Sequence, residues 1–140
     1  LEAGKPADAI EPLRRAPELT GNQPLIATTF GHALLAEDEG NPEHPHMAEA
    51  ARVLKAALSR DRENPFAWYV LGMVYAQEGD TPHAQLASAE QQELNGNLGG
   101  ALRNAEAAAL GLKTGTADWL RAQDIAMEAR SAMARTKKRK

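Results

Sequence analysis

Cysteine is absent from this chain of 140 residues, and aromatic side chains make up only 4% of it. Without cysteine the chain can form no disulfide, and it offers no thiolate for catalysis or metal binding. β-branched residues are also few, whereas about one residue in five is alanine. This composition favours closely packed helices over a sheet, so the predicted fold class is all-α.

The net charge is small, at −3, and no apolar run approaches the roughly 20 residues that span a membrane. A weakly acidic chain gives no electrostatic reason to expect nucleic acid as a partner. The basic tail at 135–140 is expected to be a solvated terminus, and contact with phosphate or anionic lipid is the alternative. We therefore expect no nucleic acid as a partner.

The most informative stretch lies between Trp68 and Ala84. It follows the spacing W-x-x-L-G-x-x-Y…A, with Leu71, Gly72 and Tyr75 at the intermediate positions. In a helix of 3.6 residues per turn the first four of these residues share one stripe, which predicts a buried face. Because Gly72 and Ala84 are small, we expect two helices to cross closely there.

This spacing resembles the tetratricopeptide (TPR) repeat, a pair of antiparallel helices of about 34 residues. Asn64 and Pro65 provide the start of its first helix, and Thr81 and Pro82 provide the start of its second. The resemblance implies a TPR-like α-solenoid of antiparallel helix hairpins, with roughly three and a half repeats and about seven helices. The predicted helices cover 6–16, 24–38, 46–60, 65–78, 82–95, 98–110 and 117–134.

The repeat period predicts a single domain over 1–140 that is a fragment of a larger chain. Residues 1–23 are expected to hold the second helix of a truncated repeat, and 24–64 a repeat with an inserted turn. Residues 65–97 form the best-matched repeat, and 98–140 form a divergent terminal repeat that ends in the basic tail.

No catalytic constellation is present, because the chain lacks HExxH, GxSxG and phosphate-loop motifs. The best metal candidates are Glu43, His44 and His46 in the inserted turn, but they have no preorganised fourth ligand. We therefore expect no catalytic residue, metal site or cofactor in this segment. The acidic residues just before this turn, Asp38 among them, are expected to be solvated.

In TPR solenoids the first helix of each repeat lines a concave groove that receives a polypeptide, and the second helix forms the outside. Arg52 and Gln85 are accordingly expected on the outer face. Asn64, at the mouth of its helix, is expected to bond a peptide backbone. Cover by another domain of the same protein is the alternative occupant. The resemblance implies these groove residues: Thr28, His32, Leu35, Asn64, Phe66, Tyr69, Met73, Gln77, Arg103, Ala107 and Leu110.

The last third of the chain permits a narrower comparison. Residues 99–110, and above all the run WLRAQDI from Trp119 to Ile125, resemble the closing segment of bacterial zinc metallopeptidases of the BepA type. Those periplasmic proteins carry a C-terminal TPR domain behind an HExxH catalytic domain.

This second resemblance implies a non-catalytic protein–protein interaction module with a periplasmic location and a role in outer-membrane protein quality control. Its partners would be substrates, assembly machinery or its own protease domain, and the zinc would be held upstream in the parent chain. The alternative is part of a free-standing TPR scaffold that joins two proteins.

Overall fold

The computed structural model describes residues 24–40, 43 and 45–138, and only the backbone of 24–26. Within these residues the chain is all-helical, without strands. Its six helices are α1 (Pro24–Glu37), α2 (Met47–Arg60), α3 (Pro65–Gln77), α4 (Thr81–Leu94), α5 (Leu98–Gly111) and α6 (Ala117–Lys138).

The all-α prediction is confirmed for this part of the chain, and each helix predicted there is present. The helix predicted at 6–16 lies outside the described residues, so six helices stand where seven were predicted. The last helix continues to Lys138, beyond its predicted end at residue 134.

Side-chain caps set the starts of α3, α4 and α5. Asn64 Oδ1 accepts hydrogen bonds from the backbone N–H groups of Phe66 and Ala67, at 3.1 and 3.3 Å. Asp80 and Asn97 cap the next two helices in the same manner. The chain then leaves α3 through Gly79, whose φ of +76° lies in the left-handed region that glycine adopts without steric cost.

Each helix packs on the next one along the chain, and two further contacts skip one helix. These skipping contacts join α1 to α3 and α4 to α6. Within the described residues, no Cα of α2 lies within 8 Å of α4, and no Cα of α3 lies within 8 Å of α5. The skipping contact therefore changes from odd-numbered helices in the first half to even-numbered helices in the second.

Within the described residues, two hydrophobic clusters form the core. The first is built by α1, α2 and α3 around residues such as Leu54, and the second by α5 and α6 around residues such as Ile125. Helix α4 contributes to both, with Ala87 in the first cluster and Ala89 in the second. Trp68 is buried in the first cluster, as the motif stripe predicted.

The close crossing predicted at Gly72 is present between α3 and α4. A Cβ on this residue would lie 3.5 Å from the Ala87 Cβ and 3.7 Å from the Ala84 carbonyl oxygen, which are ordinary contact distances. Gly31 on α1 leaves less room, because its Cβ would come within 2.7 Å of Leu54 Cγ. A side chain at Gly31 would therefore have less room than one at the motif glycine.

None of the helices in the described range combines the length and apolar character needed to cross a membrane.

Candidate functional site

Large apolar side chains stay exposed on one face of α3. Phe66, Tyr69 and Met73, all predicted groove residues, keep 44%, 47% and 38% of their surface accessible. The ring of His32 on α1 meets the ring of Phe66 edge-on, with centroids 5.7 Å apart. We call these four residues the α3 patch. Gln77, also predicted, is exposed at the last position of the same helix.

A groove of about 360 Å³ borders the α3 patch, between α3 and α4. Tyr69 and Met73 line one side of it, and Gln85 and Ser88 line the other. Gln85, expected on the outer face, thus shares a groove with two of the predicted groove residues. The two helices approach closely at Gly72, and this leaves the neighbouring side of α4 open to the same groove as the patch.

Three other predicted groove residues take different positions. Thr28 and Leu35 are buried, since α1 packs on both α2 and α3, and they add no surface to the patch. Asn64 uses its side-chain oxygen to cap α3, so that acceptor is already occupied within the fold.

The predicted groove residues on α5 are separated from the α3 patch. Arg103 and Leu110 are exposed and Ala107 is partly buried. Because α3 and α5 do not approach each other within 8 Å, the predicted groove does not continue directly from one helix to the other. A partner would have to cross α4 to contact both sets.

A larger groove, of about 600 Å³, was not predicted from the sequence. It lies between α2, α3, α4 and the start of α6, where α2 and α4 do not meet. Its lining combines apolar side chains such as Leu58 and Leu71 with charged ones such as Lys55 and Asp118. We call it the α2–α6 groove.

Glu90 of α4 anchors the charged network of this groove. Its side chain is only 6% exposed, and it accepts hydrogen bonds from Arg121 on α6 at Oε1 (2.7 Å) and Oε2 (3.0 Å). Arg62 donates a further bond of 3.0 Å to Oε2 and stacks over Trp68, 5.3 Å from the ring centroid. The hydrogen-bonded Glu90 carboxylate stabilises the charged guanidinium and so raises the pKa of Arg121, although burial opposes the rise.

Glu93 lies one turn further along α4 and is less well satisfied. Its Oε1 is 3.4 Å from Arg121 Nη2, whereas its Oε2 is buried and has no hydrogen-bond partner. Burial raises the pKa of Glu93 to about 7, and the nearby Glu128 carboxylate adds to the rise while Arg121 opposes it. At neutral pH this carboxyl is therefore partly protonated.

His83 connects the starts of α4 and α6. Its Nδ1 lies 2.8 Å from Asp80 Oδ2, its Nε2 lies 3.0 Å from Asp118 Oδ2, and its ring is 5.2 Å from that of Tyr75. Burial opposes protonation of His83, but the two carboxylates outweigh it and raise the pKa. Burial likewise raises the pKa of Tyr75, and Lys55 partly offsets the rise.

The expectation that Asp38 is solvated is wrong. Its side chain is 2% exposed and accepts the backbone N–H of His46 at 2.6 Å, and His46 Nδ1 lies 2.5 Å from its other oxygen. The turn brings the start of α2 back over this carboxylate. His46 is therefore engaged in the fold, Glu43 is exposed, and His44 lies outside the described residues.

Among the residues that the structure describes, no group of three or more histidine, aspartate and glutamate side chains could hold a metal ion.

No protein-family model and no curated protein matches this chain. The family resemblances consequently rest on the residues quoted from the sequence.

Proposed function

We propose that this chain is a non-catalytic interaction module, a TPR-like helical solenoid that binds a polypeptide segment through the α3 patch. Phe66, Tyr69 and Met73 carry the proposal, because they are exposed on the helix whose opposite stripe holds the repeat motif. Aromatic and methionine side chains are enriched in protein interfaces and depleted from other exposed surface.

The adjoining α3–α4 groove supports this role. A side chain from a bound segment can enter beside Met73 and meet the polar Gln85 and Ser88 on the opposite wall. This combination of apolar area with a few polar groups suits an extended or helical peptide. No chemical step is assigned to this surface.

The proposed context is the C-terminal domain of a bacterial periplasmic zinc metallopeptidase. In that context the module recruits substrate or assembly partners for outer-membrane protein quality control, or docks on the protease domain. The zinc and its ligands belong to the catalytic domain upstream in the parent chain. The run from Trp119 to Ile125 supports this context.

The second candidate is part of a free-standing scaffold that joins two proteins. It is favoured by the presence of two grooves on different faces of α3, with Tyr69 and Met73 in one and Leu71 and Tyr75 in the other. The sequence that precedes this segment in the parent distinguishes the candidates. An HExxH helix supports the metallopeptidase, and further repeats support the scaffold.

The binding proposal is tested by photo-crosslinking in cells that express the whole parent protein. A photoreactive residue replaces Tyr69 in one variant and Arg52, an exposed residue of α2, in the control. We expect position 69 to capture a defined polypeptide and position 52 to capture none. Capture of the same chains from both positions, or of none from position 69, would overturn the proposal.

The identity of the captured chain then separates the possible roles. Capture of a second protein supports recruitment of substrate or of an assembly partner. Capture of the parent's own protease domain alone makes the α3 patch an intramolecular docking surface, and recruitment through it is then wrong.

A further inference from the structure

The last five residues of α4 contain two carboxylates, Glu90 and Glu93, and no basic residue. Carbonyl groups at a helix C-terminus carry partial negative charge, so carboxylates are disfavoured there and cations are favoured. The compensating cations come from elsewhere, because Arg121 reaches over from α6 and Arg62 from the turn before α3. The contact between α4 and α6 therefore also supplies positive charge that balances the carboxylates at the end of α4.

That balance is incomplete by one charge. Three carboxylates, those of Glu90, Glu93 and Glu128, surround the two guanidinium groups of Arg62 and Arg121. Glu90 takes the short contacts, of 3.0 Å or less, with both cations. Glu93 and Glu128 are left with longer distances of 3.4 and 3.9 Å to Arg121.

The excess charge falls on Glu93, whose Oε2 is buried without a hydrogen-bond partner. A buried carboxylate oxygen without a partner is costly, whereas a protonated carboxyl is neutral and can donate to a nearby carboxylate. Glu128 on α6 supplies such an acceptor, because its Oε1 lies 3.9 Å from the same Arg121 guanidinium that Glu93 Oε1 approaches at 3.4 Å. Two carboxylates that share one site hold a proton more tightly than either does alone.

We propose that Glu93 and Glu128 share one proton across the contact between α4 and α6, and that the loss of this proton loosens α6 from α4. The shared proton thus makes the contact that holds α6 on α4 dependent on pH. Because Glu90 and Arg121 also line the α2–α6 groove, the contact between α4 and α6 sets the geometry of one wall of that groove.

The direction of the pH effect follows from the raised pKa of Glu93, about 7 against an ordinary value of 4.5. Below pH 4.5 the group is protonated in both the folded and the unfolded chain, so it contributes nothing to the pH dependence. Between pH 4.5 and 7 the folded state binds more protons, and stability falls as pH rises. Above pH 7 the loss is complete.

Glu90, on α4 itself, also raises the pKa of Glu93. The described titratable groups on α3 and α5 are exposed or contact other residues. On α5, Arg103 is exposed and Glu106 pairs with Arg130 at 2.9 Å. The α4–α5 contact beside Glu93 is made by the neutral side chains of Gln92 and Asn104, 3.0 Å apart. On α3, the described titratable neighbour of α4 is Tyr75, which contacts His83 in its first turn.

The test compares thermal unfolding of the full chain at pH 5 and pH 8. The pKa of His83 is raised from 6.5, so His83 also contributes to the pH dependence. Both proteins therefore carry His83→Asn, and one also carries Glu93→Gln. Glutamine keeps the shape of a protonated carboxyl but cannot ionise. We expect the Tm of the His83→Asn protein to fall by roughly 4 °C or more between these pH values. The Tm of the protein that also carries Glu93→Gln should fall much less.

Glu106→Gln is the matched control, because it removes a carboxylate from an exposed ion pair with α6 and should leave the fall unchanged. An equal fall with and without Glu93→Gln would overturn the proposal. Carbon-13 NMR of the wild-type carboxyl groups gives an independent check that needs no variant. Glu93 should titrate near pH 7, and titration of Glu93 below about pH 5 would contradict a shared proton.

Discussion

Arg121 on α6 and Glu90 on α4 form a two-point ion pair, with Nη2–Oε1 and Nε–Oε2 distances of 2.7 and 3.0 Å. Parallel hydrogen bonds of this kind fix relative orientation as well as providing energy. The pair therefore sets how the last helix lies on α4, and its acidic member is almost fully buried.

The first prediction follows from this pair. Glu90→Gln should lower the free energy of unfolding by about 1–3 kcal/mol, because the amide keeps one acceptor oxygen but removes the negative charge that Arg62 and Arg121 share. Glu106→Gln is the control, since Glu106 and Arg130 are both about half exposed and such pairs contribute about 0–1 kcal/mol. Urea unfolding measures both changes. Equal losses from the two variants would contradict the assigned role of Glu90.

The second prediction compares two helix-crossing glycines. Gly72→Ala should be neutral or stabilising by up to about 1 kcal/mol, because alanine favours the helix and its Cβ has room. Gly31→Ala should instead destabilise relative to Gly72→Ala by about 1–3 kcal/mol, since its Cβ collides with buried Leu54.

Gly72→Leu extends this comparison, because a larger side chain overpacks the same crossing. We expect a loss of about 1–3 kcal/mol or more. Thermal and urea unfolding of the three variants provide the measurement. A wild-type melting temperature for Gly72→Leu would show that the crossing is not packed as described.

The third prediction concerns binding through the α3 patch. Tyr69→Ala should weaken binding of the captured polypeptide by about 1–2 kcal/mol, because a half-exposed aromatic ring is a suitable interface anchor. Its stability should change little. Arg103→Ala should cause a smaller loss, since α5 does not approach α3.

Titration calorimetry with the captured polypeptide compares these variants with Arg52→Ala, the control on α2. Gln85→Ala is unsuitable as a control because Gln85 lines the adjoining groove. Unchanged affinity after Tyr69→Ala would remove the patch from the binding surface.

The fourth prediction is a pH dependence that arises from His83. Asp80 and Asp118 raise the pKa of His83 above 6.5, so the protonated ring stabilises the fold. This contribution is fully present below pH 6.5 and is lost as pH rises through the folded-state pKa. His83→Asn should therefore reduce the fall in Tm between pH 6 and pH 8. An unchanged pH dependence in this variant would be inconsistent with the bridge.

The helices were predictable because their signals are local. Asn64 and Pro65 indicate the start of α3, and Gly79 adopts the left-handed backbone conformation after its end. The burial of Trp68 follows from the spacing of the motif within a single helix. None of these inferences required knowledge of how distant helices meet.

The charged groove could not be predicted in the same way. Glu90 and Arg121 are 31 residues apart, and no repeat period relates them. Glu90 and Arg121 meet because α4 contacts α6. A regular solenoid in which only the first helices of successive repeats contact one another would not produce this contact. The burial of Asp38 was missed for a similar reason, because it depends on how the inserted turn returns His46 to the helix end.

The position of α4 in both hydrophobic clusters has a consequence for how damage spreads through the molecule. A cavity made at Leu54 or Ile125 weakens one half directly, because each side chain belongs to a single cluster. A change that rotates α4 displaces Ala87 and Ala89 together, and so disturbs both halves at once. Helix α4 is shared by both hydrophobic clusters, so the packing of each cluster depends on the position of this one helix.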